Sequence, residues 1–309
     1  MKRSQRTGFT LLELLVVVAI LAIIAGGLIV AYEGLEEKSA QGVATYAIGG
    51  LNNAIRHFHA TNSSKYPNEW DSLLFSASGN GTDAEALNIL PVQLRLEKFG
   101  PHTLTADGVA ALNKAGITTA RYVSGTVVVN GKTYDNGTLI IDGGTAPGHQ
   151  IPNRVFDDPP RGFGVVVPLA AGVVVAAVEN ILQADFGGST PTLSDRLNDI
   201  AGLDPTKGHI VVAFGIGNNS TLVHNTTGQL DPRSARLAEA PIYRNVRPPE
   251  YSRYVALFHL ATDTDGDGTI APGTFPSGEY LGSARFLTVI DTKGDWYDEE
   301  LAEHLGTKP

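Results

Sequence analysis

The sequence predicts an α+β fold in which one long N-terminal α-helix, membrane-spanning over its first half, packs on an enlarged globular head with an antiparallel β-sheet. Three observations carry this. Apolar residues recur at helical spacing from Phe9 to Phe58. Asn130-Gly131 lies between strand-like runs, a strong short hairpin signal. Two further strand candidates near the C-terminus enclose an acidic loop.

The helix comes first. Lys2, Arg3 and Arg6 precede Gly8, and from Phe9 to Ala31 the one ionisable side chain is Glu13. At about 1.5 Å per residue that run reaches about 35 Å, enough to cross a hydrocarbon core of about 30 Å. Basic residues at its start place the N-terminus in the cytoplasm and residues 32–309 on the far side. A secretory signal would have a shorter apolar region and a small-residue cleavage site, whereas this run carries Glu13 early and ends Ala25-Gly26-Gly27. A carboxylate about one turn inside a spanning helix costs a few kcal/mol, so a partner is expected. Cleavage after Gly8 would create an α-amino group on Phe9 and make Glu13 the fifth residue of the product. A neighbouring copy could then set its ammonium beside this carboxylate, an attraction stronger in lipid than in water.

The basic leader, Gly8, Phe9-Thr10-Leu11-Leu12-Glu13 and the apolar run behind them closely resemble the class III signal of type IV pilins and type II secretion pseudopilins. The resemblance implies a pilin-like fold, cleavage after Gly8 by a prepilin peptidase, methylation of Phe9, and filament assembly through Glu13. It also implies as partners other pilin or pseudopilin subunits and an inner-membrane assembly platform. The protein would start as a single-pass inner-membrane protein and end in a periplasmic or extracellular filament. Tyr66-Pro67 followed by residues 70–74, read as amphipathic, resembles the start of the pseudopilin αβ-loop.

Composition fits an exported structural protein. The net charge is −9 with a pI near 5.3, and loss of residues 1–8 would make the rest more acidic, so nucleic acid is not an expected partner. The chain has no cysteine, which excludes disulfides, thiolate metal sites and cysteine nucleophiles. Its 35 glycines and 17 prolines require many turns. No serine-elbow, HExxH or P-loop pattern is present, and an enzyme is not expected. The expected division is a leader at 1–8, a membrane or filament-core helix at 9–31, its amphipathic continuation at 32–60, an enlarged αβ-loop and head region at 61–250, and a C-terminal hairpin with acidic loop and terminal helix at 251–309.

Helical spacing continues through Val43, Ala47, Leu51, Ala54, Ile55 and Phe58, so one helix should run from about 10 to 60. Gly26-Gly27, Gly34, Gly42 and Gly49-Gly50 each weaken the helix, and mark either local melting near Gly26-Gly27 during polymerisation or close helix packing. His57 and His59 point to different faces and are expected in solvent. Helices are expected at 83–98, interrupted at Pro91, at 105–115 with Gly116 as its stop, and at 194–201. Strands are expected at 138–141 and 209–217, and residues 165–178 form a buried core element rather than a second membrane pass, because Pro168 and Gly172 interrupt it. Residues 253–260 and 284–290 are the two C-terminal strands. Residues 295–301 begin a terminal helix with acidic residues at its positive end.

Between those strands, Asp263, Asp265 and Asp267 occupy alternating positions, with Gly268 as the turn glycine, Thr269 offering a carbonyl, and Ile270 as apolar anchor. This is the first half of an EF-hand-type loop, and calcium is the candidate cofactor. Thr274 stands where a bidentate glutamate would complete it, so Glu279, Asp291 or water would have to supply oxygen. The major pseudopilins resemble this arrangement in having calcium in a C-terminal β-β loop. The expected function is a structural subunit of a type II secretion pseudopilus or type IV pilus-like filament; the alternative is a minor pilin displaying an adhesion or ligand-binding head.

Overall fold

The structure is a computed structural model describing residues 11–74, 99–123, 127–129, 132–134, 164–178, 202–204, 207–217, 219–223, 251, 253–264, 279–291 and 294–306. The expected helices at 83–98 and 194–201 and the strand at 138–141 lie outside these residues.

Helix α1, Leu11–Thr61, is continuous, as the apolar period requires. It ends where Ser63 and Ser64 adopt positive φ. Its two halves meet different surroundings. The described side chains of residues 11–27 are exposed throughout, the large apolar ones from 46% at Val16 to 83% at Leu11, while Ala44, Ile48, Ile55 and Phe58 are buried in the head. Among the described residues no helix is long and apolar enough to cross a membrane, so the spanning of residues 9–31 rests on the sequence.

The head is built on a curled, mixed eight-stranded sheet. Its strands are β1 (Trp70–Asp71), β2 (Phe99–Thr103), β3 (Thr119–Val123), β6 (Gly164–Pro168), β7 (Val174–Val178), β8 (His209–Gly215), β9 (Val255–Thr262) and β10 (Tyr280–Ile290). β4 (Val127–Val129) and β5 (Lys132–Tyr134) pair separately, Val129 opposite Lys132, as the Asn-Gly signal predicts. The order β10-β9-β8-β1-β3-β6 carries a side arm in which β7 joins β8 to β2. One edge of β8 is thus shared by β7, opposite Val212 and Ala213, and by β1, opposite Gly215.

An all-antiparallel sheet was the expectation, and β1 against β3 departs from it: Trp70 and Asp71 run parallel to Ala120 and Arg121. A parallel pair needs a crossover, which the chain provides through β2 and helix α2 (Ala106–Lys114). α2 has the ends the sequence indicates. Thr105 caps it through a bond from the Gly108 N–H to its hydroxyl (3.2 Å), and Gly116 follows at φ 95°, the left-handed region open to glycine.

Residues 165–178 are not one element. Pro168 and Gly172 bracket a turn, with Gly172 at φ 91°, and the flanking strands part company: β6 joins β3, while β7 enters the centre fully buried. β8 is also buried along its whole length, and β9 along all but its last residue, matching their near-continuous apolar sequences.

β10 is the edge strand of the path, and an uncovered edge invites pairing with other chains. Here α1 and Tyr66 cover it. The Val289 N–H donates to Asn52 Oδ1 (3.1 Å), Arg56 donates to the Leu287 carbonyl (3.4 Å), and the Phe286 N–H donates to the Tyr66 hydroxyl (3.2 Å). The register shift between Phe286 and Thr288 places Leu287 at an irregularity in the ladder, where its carbonyl is taken up by Arg56. Helix α3 (Tyr297–Leu305) completes the fold and lies on α1.

Candidate functional site

Of the processing residues, Gly8 and Phe9 lie outside the described residues. Glu13 stands on α1 near the beginning of the described residues and is exposed among leucines and valines. Residues 11–27 therefore offer an exposed apolar surface carrying one carboxylate, Glu13.

Farther along, Gly42 and Gly49 are seven residues apart, two turns, and both receive α3. A Cβ on Gly49 would sit 3.1 Å from the Tyr297 ring, and one on Gly42 would sit 2.9 Å from the His304 ring. Gln41 donates to Glu303 (3.4 Å), and His304 Nδ1 lies 3.2 Å from the Lys38 carbonyl. Close packing is the role of these two glycines, whereas a Cβ on Gly26, Gly27 or Gly50 would meet nothing within 4 Å.

The acidic loop leaves β9 at Asp263, which is buried and donates its N–H to the Gly208 carbonyl (2.7 Å). At the returning end Glu279, also buried, accepts from the Thr264 N–H (2.8 Å) and hydroxyl (3.4 Å). Asp263 and Glu279 thus lie at the two ends of the loop, with Glu279 tying them together. Asp265, Asp267 and Thr269 lie outside the described residues. Asp291 does not belong with this loop. It follows β10 at the end opposite Glu279, about 35 Å away along an extended strand.

Asp291 has other company. The turn after β10 folds back, with the Asp295 N–H donating to Asp291 Oδ1 (2.8 Å), the Asp291 N–H donating to the Asp295 carbonyl (3.1 Å), and Gly294 at φ 88°. Glu300, one turn into α3, points to the same place. One carboxylate oxygen from each of Asp291, Asp295 and Glu300 lies within 4.8 Å of the other two; Asp291 and Glu300 are fully buried and Asp295 is half-buried. Tyr254 is buried nearby, and its phenol pKa is raised, first by burial and then by the charges of Asp291 and Glu300. The sequence reading missed this group because Asp298, Glu299 and Glu300 look like helix-dipole residues. The spacing Asp291-x3-Asp295-x4-Glu300 around Gly294 was the available signal.

Two histidines form another buried group. His209 Nε2 is 2.9 Å from the Asp204 carbonyl and so carries a proton, leaving Nδ1 to accept from His259 Nε2 (3.2 Å) or the Thr262 hydroxyl (3.1 Å). His259 Nε2 also lies 2.9 Å from the Ala261 carbonyl. Both rings fit this network neutral, and burial lowers both pKa values, His259 to about 4. Of the histidines noted in the sequence, His57 is exposed as expected, while His59 is half-buried and stacks on Tyr66 at 4.2 Å.

Residues 70–74 correct another expectation, since all five are buried rather than amphipathic. Asp71 accepts from the Tyr251 hydroxyl (2.8 Å) and from Arg253 (3.3 Å), with Arg253 itself 2% exposed. No catalytic role follows from this cluster, because Gly215 and Gly217 close directly over Tyr251 and Asp71.

Residues 3–29 match the prokaryotic N-terminal methylation motif. No curated protein and no solved structure matches the chain.

Proposed function

Because residues 3–29 are the class III prepilin-type signal of type IV pilins and pseudopilins, we propose that the chain is a structural subunit processed by prepilin peptidase and polymerised through its N-terminal helix. Residues 9–31 span the inner membrane before assembly, with the N-terminus in the cytoplasm, and become filament core afterwards. Gly8 and Phe9 define the cut, Phe9 receives the methyl group, and Glu13 pairs with the N-terminus of a neighbouring subunit. An inner-membrane assembly platform extracts the subunit, and the head is displayed in the periplasm or outside the cell.

The observation that carries this reading, beside the signal itself, is the exposed apolar surface of residues 11–27 with Glu13 at its start. Such a surface requires a partner, whether lipid or identical helices. Within the class we favour a type II secretion pseudopilus, on Tyr66-Pro67 and the acidic loop, in which calcium held by Asp263, Asp265, Asp267 and Thr269 stiffens the connection between β9 and β10.

Mass spectrometry of the membrane and surface fractions tests the core of this. The expected product begins at N-methylated Phe9; any other N-terminus overturns the processing claim. Glu13→Ala should leave membrane insertion intact and lower filament incorporation, and unchanged incorporation would refute the pairing role.

A further inference from the structure

We propose that Asp291, Asp295 and Glu300 form a calcium-class divalent cation site that fastens the start of α3 to the end of β10. Three carboxylate oxygens mutually within 4.8 Å are close enough to share one cation, whose oxygen ligands lie about 2.3–2.6 Å away in the case of calcium, and three hard oxygens without imidazole or thiolate favour an alkaline-earth ion over zinc. Magnesium, which keeps several waters and is usually held through one or two carboxylates, suits three converging carboxylates less well.

A second observation is independent of the acidic group. The Tyr254 hydroxyl is buried, has no hydrogen-bond partner among the described residues, and lies beside Asp291 and Glu300. A water molecule on the cation gives this hydroxyl the partner that a buried polar group needs. Asp295, half-buried, leaves a path for the ion from solvent.

The site's place in the fold gives it a consequence. Glu300 is the buried residue of α3, and the same helix presents Tyr297 to Gly49 and His304 to Gly42. Holding Glu300 against the end of β10 therefore sets the seat of α3 on the stem. The acidic loop near Glu279 is the separate candidate, at the opposite end of β10, and the two are distinguished by substitution.

The test uses the full-length chain in detergent micelles, stripped with a chelator and titrated with terbium alone and then with calcium alone. Trp296, next to Asp295, is the sensitiser for terbium emission. The expected result is emission displaced by calcium, a calcium-dependent rise in Tm, at least tenfold weaker binding in Asp295→Asn and Glu300→Gln, and binding retained in the double variant Asp265→Asn/Asp267→Asn. Asp295→Asn decides the matter if Glu300→Gln does not fold. No response to either ion in the parent chain overturns the proposal, as does full affinity in folded Asp295→Asn or loss of binding confined to the acidic-loop variant.

Discussion

Substituting Asp71 tests whether the centre of the head depends on a buried ion pair. Asp71 is 1% exposed, accepts hydrogen bonds from Tyr251 (2.8 Å) and Arg253 (3.3 Å), and belongs to the strand that joins β8 to β3. Asp71→Asn keeps the shape and one acceptor but removes the negative charge beside a guanidinium that is 2% exposed. Removing one member of a buried pair costs about 3–5 kcal/mol, because the remaining charge stays desolvated. In a head of this size each kcal/mol moves Tm by about 2–4 °C, so a fall of about 10 °C is expected. Arg253→Met should cost a similar amount. The double variant Asp71→Asn/Arg253→Met should lose much less than the sum, since with both charges gone neither is left buried without its counter-charge. Near-UV circular dichroism during thermal and urea unfolding of the four proteins gives the cycle. Additive losses, or a loss below about 1 kcal/mol in Asp71→Asn, would refute the claim that the two charges stabilise each other.

Acid should weaken the head through its buried histidines. His102 and His259 are lowered by burial from 6.5 to about 4, so the folded state holds them neutral while the unfolded state protonates near 6.5. Stability from this source is complete above about pH 6.5 and lost as pH falls toward 4, by up to about 3 kcal/mol per histidine, and His102→Asn/His259→Asn should flatten the Tm-against-pH curve in that window. Gly49→Leu should displace Tyr297, cost about 1–3 kcal/mol and expose α3 to limited proteolysis, while Gly50→Ala should stabilise α1 by up to about 1 kcal/mol. Asn52→Ala should cost about 1–2 kcal/mol by leaving the Val289 N–H without its acceptor, and light scattering should show more self-association through the β10 edge.

What the sequence made legible was local. The stem follows from one uninterrupted 3.6-residue period, α2 from Thr105 and Gly116, β8 from its apolar run, and the small hairpin from Asn130-Gly131. What it hid depended on distant partners. Asp71 looked like the polar position of an amphipathic segment because Tyr251 and Arg253, which make its burial tolerable, lie about 180 residues on. Asp291 looked like a spare ligand for the acidic loop because sequence distance does not show that β10 is extended and separates the two. The parallel placement of β1 on β3 is equally non-local, since period-2 patterning gives strands but not their neighbours. Pro168 and Gly172 were visible as interruptions, and they mark the turn that sends β6 and β7 to different arms of the sheet.

The junction of stem and head bears on how the head is carried. Between Gln41 and Tyr66 the chain does three jobs on adjoining surfaces: Gly42 and Gly49 seat α3, Asn52 and Arg56 cover the β10 edge, and Tyr66 places its ring against Phe258 and Phe286. A hinge there would have to break the edge hydrogen bonds or lift α3, and α1 has no break between Leu11 and Thr61 that would allow rotation without doing so. The head is therefore held by the second half of the stem as part of its own core, so a displacement of residues 41–61 moves β10 with it. That coupling suits a subunit whose head must follow its helix into a filament.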